Sequence, residues 1–151
     1  MTIIGNQARL LNDLILINND REVGYQKAIE ELKDEDSDLE MLFQEKVNQS
    51  NDFKAELSEK IIEIGHEVES GTTYAGKVYR MWMDVKAFFG GSNRKVVLDN
   101  CVDGEDAALV AYNDALTSEG LTTDVRSLLT NHHATLMISY DRIKALRDAE
   151  E

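Results

Sequence analysis

An all-α four-helix bundle is the fold this sequence predicts, and three observations carry it. The chain has no proline and few aromatic residues, 7%, while Ala, Leu, Glu, Asp and Lys are plentiful, a composition of helices rather than sheets. Apolar residues recur at spacings of three and four through four long stretches, the period of one helical face. The second and third stretches are separated by roughly 25 residues, far more than the tight turns of antiparallel neighbours. With 151 residues, 42% of them hydrophobic, the chain has material for one sizeable core, so residues 1–151 are expected to form a single domain.

The first helix is expected over about 6–32, with Leu11, Leu14, Asn18, Tyr25, Ala28 and Leu32 on one stripe. The acidic run DEDSD closes it. A second helix, about 38–64, starts from Ser37 or Asp38 as N-cap. It turns Leu39, Phe43, Val47, Ser50, Leu57 and Ile61 inward and stops at Gly65. The apolar segment TYAGKVYRMWMDVKAFFGG then predicts a short extra helix over 74–89, with Val78, Trp82, Val85 and Phe89 on one side. A helix over about 93–116 repeats Leu98, Cys101, Glu105, Ala108, Tyr112 and Ala115 at heptad spacing. SEGLTTD turns the chain, and a last helix over 124–148, with Thr123 or Asp124 as N-cap, carries Val125, Leu128, His132, Ser139, Ile143 and Leu146. Long helices of ~40 Å suit a bundle. A long crossover holding a short helix between bundle helices 2 and 3 is the ferritin-like connection, so a ferritin-like up-down four-helix bundle is expected.

An internal echo accompanies this plan. Shifting the first helix by 87 positions lays Leu11 on Leu98, Asn18 on Glu105 and Tyr25 on Tyr112, and shifting the second by 89 lays Val47 on Leu136 and Ser50 on Ser139. A duplicated hairpin produces such an echo, and so does heptad spacing alone.

A net charge of -13 repels phosphate backbones and anionic bilayers, so neither nucleic acid nor membrane is an expected partner. The single cysteine, Cys101, cannot form an internal disulfide. The amino-terminal stretch lacks the pattern of a secretory signal, and a cytoplasmic address is expected.

The chemistry-bearing position is Glu105. Seven residues, two helical turns, separate it from Tyr112, so both share a face. A carboxylate-bridged di-iron or di-manganese bundle needs one Glu from each of two helices and Glu-x-x-His from each of the other two. Here Asn18 stands where the first helix would supply its acid, and Val47, Ser50, Leu136 and Ser139 occupy the inward positions of the other pair. No metal cofactor is expected. Should iron or manganese bind after all, Glu105, Glu22 and His132 are the ligands the sequence offers. The alternative expectation for Glu105 is a polar core with Asn18, Tyr25 and Tyr112, since a buried carboxylate needs a partner. The one literal Glu-x-x-His, Glu63 to His66, straddles Gly65 at a helix end. Cys101 lies on an apolar stripe without a basic neighbour, as an inert packed thiol would. In the crossover, Met81, Trp82, Phe88 and Phe89 cover more than one side of a short helix, and either roof the bundle or form an interface for a homodimer or larger homo-oligomer.

Taken together, LLNDLILINNDREVGYQKA, WMDVKAFFGG, GEDAALVAYNDAL and YDRIKALRD resemble a bacterial family of small four-helix-bundle proteins of unknown function in the ferritin-like superfamily. The resemblance covers about residues 8–148 and implies a ferritin-like fold with no activity, substrate or cofactor to carry over. Members resembling this chain have a histidine where it has Tyr140, which removes one more potential ligand. The functional expectation is a non-enzymatic bundle acting through protein contacts; the competing one is a metal-dependent oxidase or iron-handling protein.

Overall fold

The computed structural model describes residues 3–68 and 93–150. Four helices form within them: α1 Ile3–Glu30, α2 Ser37–Glu63, α3 Arg94–Leu116 and α4 Thr123–Asp148, with a 3-10 turn at Asp34–Asp36 before α2. No strand occurs among the described residues. The helix expected over 74–89, with Met81, Trp82, Phe88 and Phe89, lies outside the described residues.

Local chemistry sets the helix ends. α1 finishes earlier than its periodicity continues, because Glu31 and Leu32 bond back three residues, to Ala28 and Ile29, tightening the last turn. The N-cap of α2 is Asp36, one residue ahead of the expected pair. Arg94 reaches its carboxylate at 3.2 Å from the start of α3, and it also holds Asp38 at 2.6 Å. At the far end of α2, Gly65 takes a φ of 84°, while His66 N–H bonds Ile61 and Gly65 N–H bonds Ile62. This is a Schellman stop, and its left-handed residue favours glycine. Asn93 caps α3 by accepting from Val96 N–H at 3.0 Å. α4 is preceded by Thr122 rather than Thr123 or Asp124, whose N–H donates to Gln7 Oε1 at 2.6 Å.

Side-chain pairs give the helix directions. Asn19 and Glu22 meet Lys54 and Asn12 meets Glu67, so α1 and α2 are antiparallel. Asn18 meets Tyr112 and Arg21 meets Glu105, so α1 and α3 are antiparallel. Tyr112 with His132 and Asp99 with Arg147 run α3 against α4. It follows that α2 and α3 point the same way, with the end of α2 and the start of α3 at opposite ends of the bundle.

The inward stripes close on one core in which Leu11, Phe43, Leu57, Leu98, Leu136 and Ile143 are fully buried. Each such side chain contributes about 1.5–3 kcal/mol by leaving water. Among the described residues, no helix is long and apolar enough to cross a membrane.

Candidate functional site

Midway along the bundle the apolar core gives way to polar side chains at two adjoining levels, whose residues stand two turns apart on α3, at Glu105 and Tyr112, and less than one turn apart on α1, at Arg21 and Asn18. At the first, Arg21 on α1 is fully buried. Its Nε donates to Glu105 Oε1 at 2.5 Å and its second terminal nitrogen to Oε2 at 3.1 Å, a bidentate fork. The remaining donors reach Ser50 Oγ on α2 at 3.1 Å and Ser139 Oγ on α4 at 3.2 Å. Ser139 Oγ–H donates in turn to Glu105 Oε2, and Ser50 Oγ–H to the Lys46 carbonyl at 2.8 Å. One guanidinium thus ties all four helices together. Burial works against its charge, but Glu105 more than offsets this, so Arg21 sits above its usual pKa. Its Cζ lies over the Tyr25 ring, 5.5 Å from the ring centre.

The second level is uncharged. Asn18 Nδ2 donates to Tyr112 Oη at 2.9 Å and to the Leu14 carbonyl at 2.9 Å. Tyr112 Oη lies 2.8 Å from His132 Nδ1, and with Asn18 occupying its acceptor side, the phenol donates to the imidazole. His132 stacks on Phe53 with ring centres 3.9 Å apart, and its Nε2 lies 3.5 Å from Glu56. Burial pulls the His132 pKa down to about 4. The ring is therefore neutral near pH 7, and the Glu56 approach is not an ion pair.

These positions separate the residues that sequence reasoning grouped. Asn18, Tyr25, Glu105 and Tyr112 are all buried, yet Asn18 and Tyr112 bond each other while Glu105 is held by Arg21 and Ser139. Tyr25 stands close enough to Glu105 that burial first, then that charge, pushes its hydroxyl well above the usual range. The fallback metal ligands do not converge. Glu22 pairs with Lys54 at 2.5 Å, Glu105 is engaged by Arg21, and His132 lies at the other level. Where a dinuclear centre would need four carboxylates and two imidazoles, this level offers one carboxylate, two hydroxyls and a guanidinium, a set that does not fit two divalent cations. Among the described residues, no three His, Cys, Asp or Glu side chains are grouped to hold a metal ion. Cys101 is buried and its thiol is pushed well up by burial, which leaves no thiolate for chemistry.

Arg21 is the residue the sequence reading missed. It lies three residues after Asn18 and four before Tyr25, a vacant place on the α1 stripe that its usual preference for solvent disguised. The echo has a geometric counterpart here. Ser50 and Ser139, which it pairs, both bond Arg21. Phe43, related to His132 by the same shift, packs on Tyr25 at 5.3 Å as His132 packs on Tyr112 at 5.7 Å.

The chain matches the model of the family described as Domain of unknown function (DUF2383) over residues 6–118, most of its length, and it belongs to that family. The match takes in α1, α2 and α3, with Asn18, Arg21, Glu105 and Tyr112. No curated protein matches the chain, and neither does any solved structure.

Proposed function

We propose that the protein is a non-catalytic, ferritin-like bundle that acts through protein contacts, as a homodimer or larger homo-oligomer, with an arginine standing where relatives of that architecture hold metal. The observation that carries this reading is the Arg21 guanidinium, buried and bonded to Glu105, Ser50 and Ser139. A permanent cation at the centre of the bundle supplies the charge that balances Glu105 and repels any divalent ion approaching the same carboxylate. The parallel course of α2 and α3 supports the ferritin-like architecture, because the connection between them must return the length of the bundle.

Titration of chelator-treated protein with Fe²⁺ and Mn²⁺ tests the proposal. We expect no binding at two ions per chain and no oxygen uptake after iron addition. Stoichiometric metal that is lost in Glu105→Ala would establish the oxidase or iron-handling reading instead. Sedimentation velocity tests the assembly, and a monomer at every concentration would remove that part of the reading.

A further inference from the structure

The end of the bundle that holds the start of α1 carries a cavity of about 380 Å³, a volume in the range of small-molecule sites. It lies apart from both polar levels, since Gln7 precedes Asn18 by about three turns of α1. Asn6, Gln7, Arg9 and Leu10 of α1 form one wall, and Glu119 and Leu121, in the turn between α3 and α4, form the other. Gly120, at a φ of 82°, lets that turn double back between them.

Gln7 sets this cavity apart from an ordinary surface groove. Only 1% exposed, it accepts the Thr122 N–H through Oε1 at 2.6 Å. An N–H can meet only an acceptor, so that bond fixes which end of the amide is oxygen. Both protons of Nε2 are left over, and no acceptor meets them. A buried donor without an acceptor is costly and rare; one in a cavity wall can be completed by what enters the cavity.

Two charges of opposite sign line the same space from different walls. Among the described residues, Arg9 and Glu119 pair neither with each other nor with any other side chain, although Lys54, Lys60, Arg94 and Arg147 all meet carboxylates. Leu10 and Leu121, both partly buried, add apolar surface. Amide donors, a cation, a carboxylate and apolar surface around one cavity match a molecule that has an acid, an ammonium and an apolar body.

We propose that this cavity binds a free amino acid with an apolar side chain. Its carboxylate takes the Arg9 guanidinium and the Gln7 amide, its ammonium meets Glu119, and its side chain lies on Leu10 and Leu121. Neither level of the polar core takes part, so the site is independent of whether the bundle holds metal or assembles.

The test follows amide NMR spectra of the labelled whole protein as L-leucine is added. Saturable shifts should appear at residues 6–10 and 118–122 below ~10 mM. Isocaproate, which is leucine without its ammonium, and isopentylamine, which is leucine without its carboxylate, should each bind about ten-fold more weakly, the worth of one hydrogen bond to a charged group. Arg9→Gln should cost leucine the same factor and isopentylamine nothing, and Glu119→Gln should cost leucine that factor and isocaproate nothing. Both are exposed positions, so neither change threatens the fold. Gln7→Glu keeps an acceptor for Thr122 but replaces the donors with a carboxylate oxygen, and should weaken leucine binding by about ten-fold or more. The absence of saturable shifts below ~10 mM, or shifts only elsewhere on the molecule, would overturn the proposal. Isocaproate binding as tightly as leucine would overturn the zwitterion and leave a site for simple anions. Leucine binding undiminished in both Arg9→Gln and Glu119→Gln would overturn the roles given to the two charges.

Discussion

At the Arg21 level the bundle buries full charges, whereas at the neighbouring Tyr112 level, where Tyr112 follows Glu105 by two turns of α3 and Asn18 precedes Arg21 by less than one turn of α1, it buries only neutral groups. The charged level draws on all four helices through one guanidinium, and each of its groups depends on the others. The neutral level is a short chain, Asn18 to Tyr112 to His132, whose members are held as much by packing as by hydrogen bonds. The contrast teaches that polar groups in one core can differ in what their loss exposes: at one level an uncompensated charge, at the other a single unmade bond.

The largest effect should follow from removing one ion. Arg21→Met, or Glu105→Leu alone, should destabilise by about 3–5 kcal/mol, measured by urea unfolding, because each leaves the other charge buried and unpaired. The double change Arg21→Met with Glu105→Leu should recover most of that loss. If the double variant is as unstable as the singles, the pair is not an isolated electrostatic unit, and the comparison with the neutral level fails.

Acid should act on the neutral level next. His132 has a folded-state pKa of about 4 against about 6.5 when unfolded, so between those values the unfolded chain binds more protons. Stability is then fully present above about pH 6.5 and is lost as pH falls toward 4, by roughly 3 kcal/mol over that window. His132→Phe should flatten this part of the profile. A variant with an unchanged slope would move the acid sensitivity elsewhere.

How much of this was legible in the sequence follows from which signals are local. Helix positions were readable because the stripes of α1 to α4 repeat at three and four, and the stop at Gly65 because a glycine after a periodic run has a conformational reason. Glu105 was readable as a problem, an acid on an apolar stripe. Its solution was not, because Arg21 lies 84 positions away and nothing in the α1 stripe distinguishes a buried arginine from one at the helix surface. His132 was legible as an inward histidine, but its Phe53 stack and Glu56 approach depend on how α4 meets α2. Ser50 and Ser139 were read as ligands the site lacks; they are hydroxyls that solvate a guanidinium in place of water.

Those two serines sharpen the charged side of the comparison. Ser139 serves both ions, accepting from Arg21 and donating to Glu105, whereas Ser50 accepts from Arg21 alone among them. Ser139→Ala should cost about 2 kcal/mol and Ser50→Ala about 1–1.5 kcal/mol, since bonds to charged groups are stronger than neutral ones. Equal costs in thermal unfolding would mean that Arg21, and not the pair, is what the hydroxyls support.

The smallest effect separates burial from hydrogen bonding at the neutral level. Tyr112→Phe keeps the ring but deletes the hydroxyl that joins Asn18 to His132. Asn18 still has the Leu14 carbonyl as acceptor, and the Phe53 stack still fixes the imidazole, so the loss should be about 1 kcal/mol at pH 7. The depressed His132 pKa arises from burial, which the substitution leaves in place. The slope of stability between pH 6.5 and 4 should therefore survive in Tyr112→Phe while vanishing in His132→Phe. A slope that disappears in both variants would assign the histidine's neutrality to the phenol, and the neutral level would then be as interdependent as the charged one.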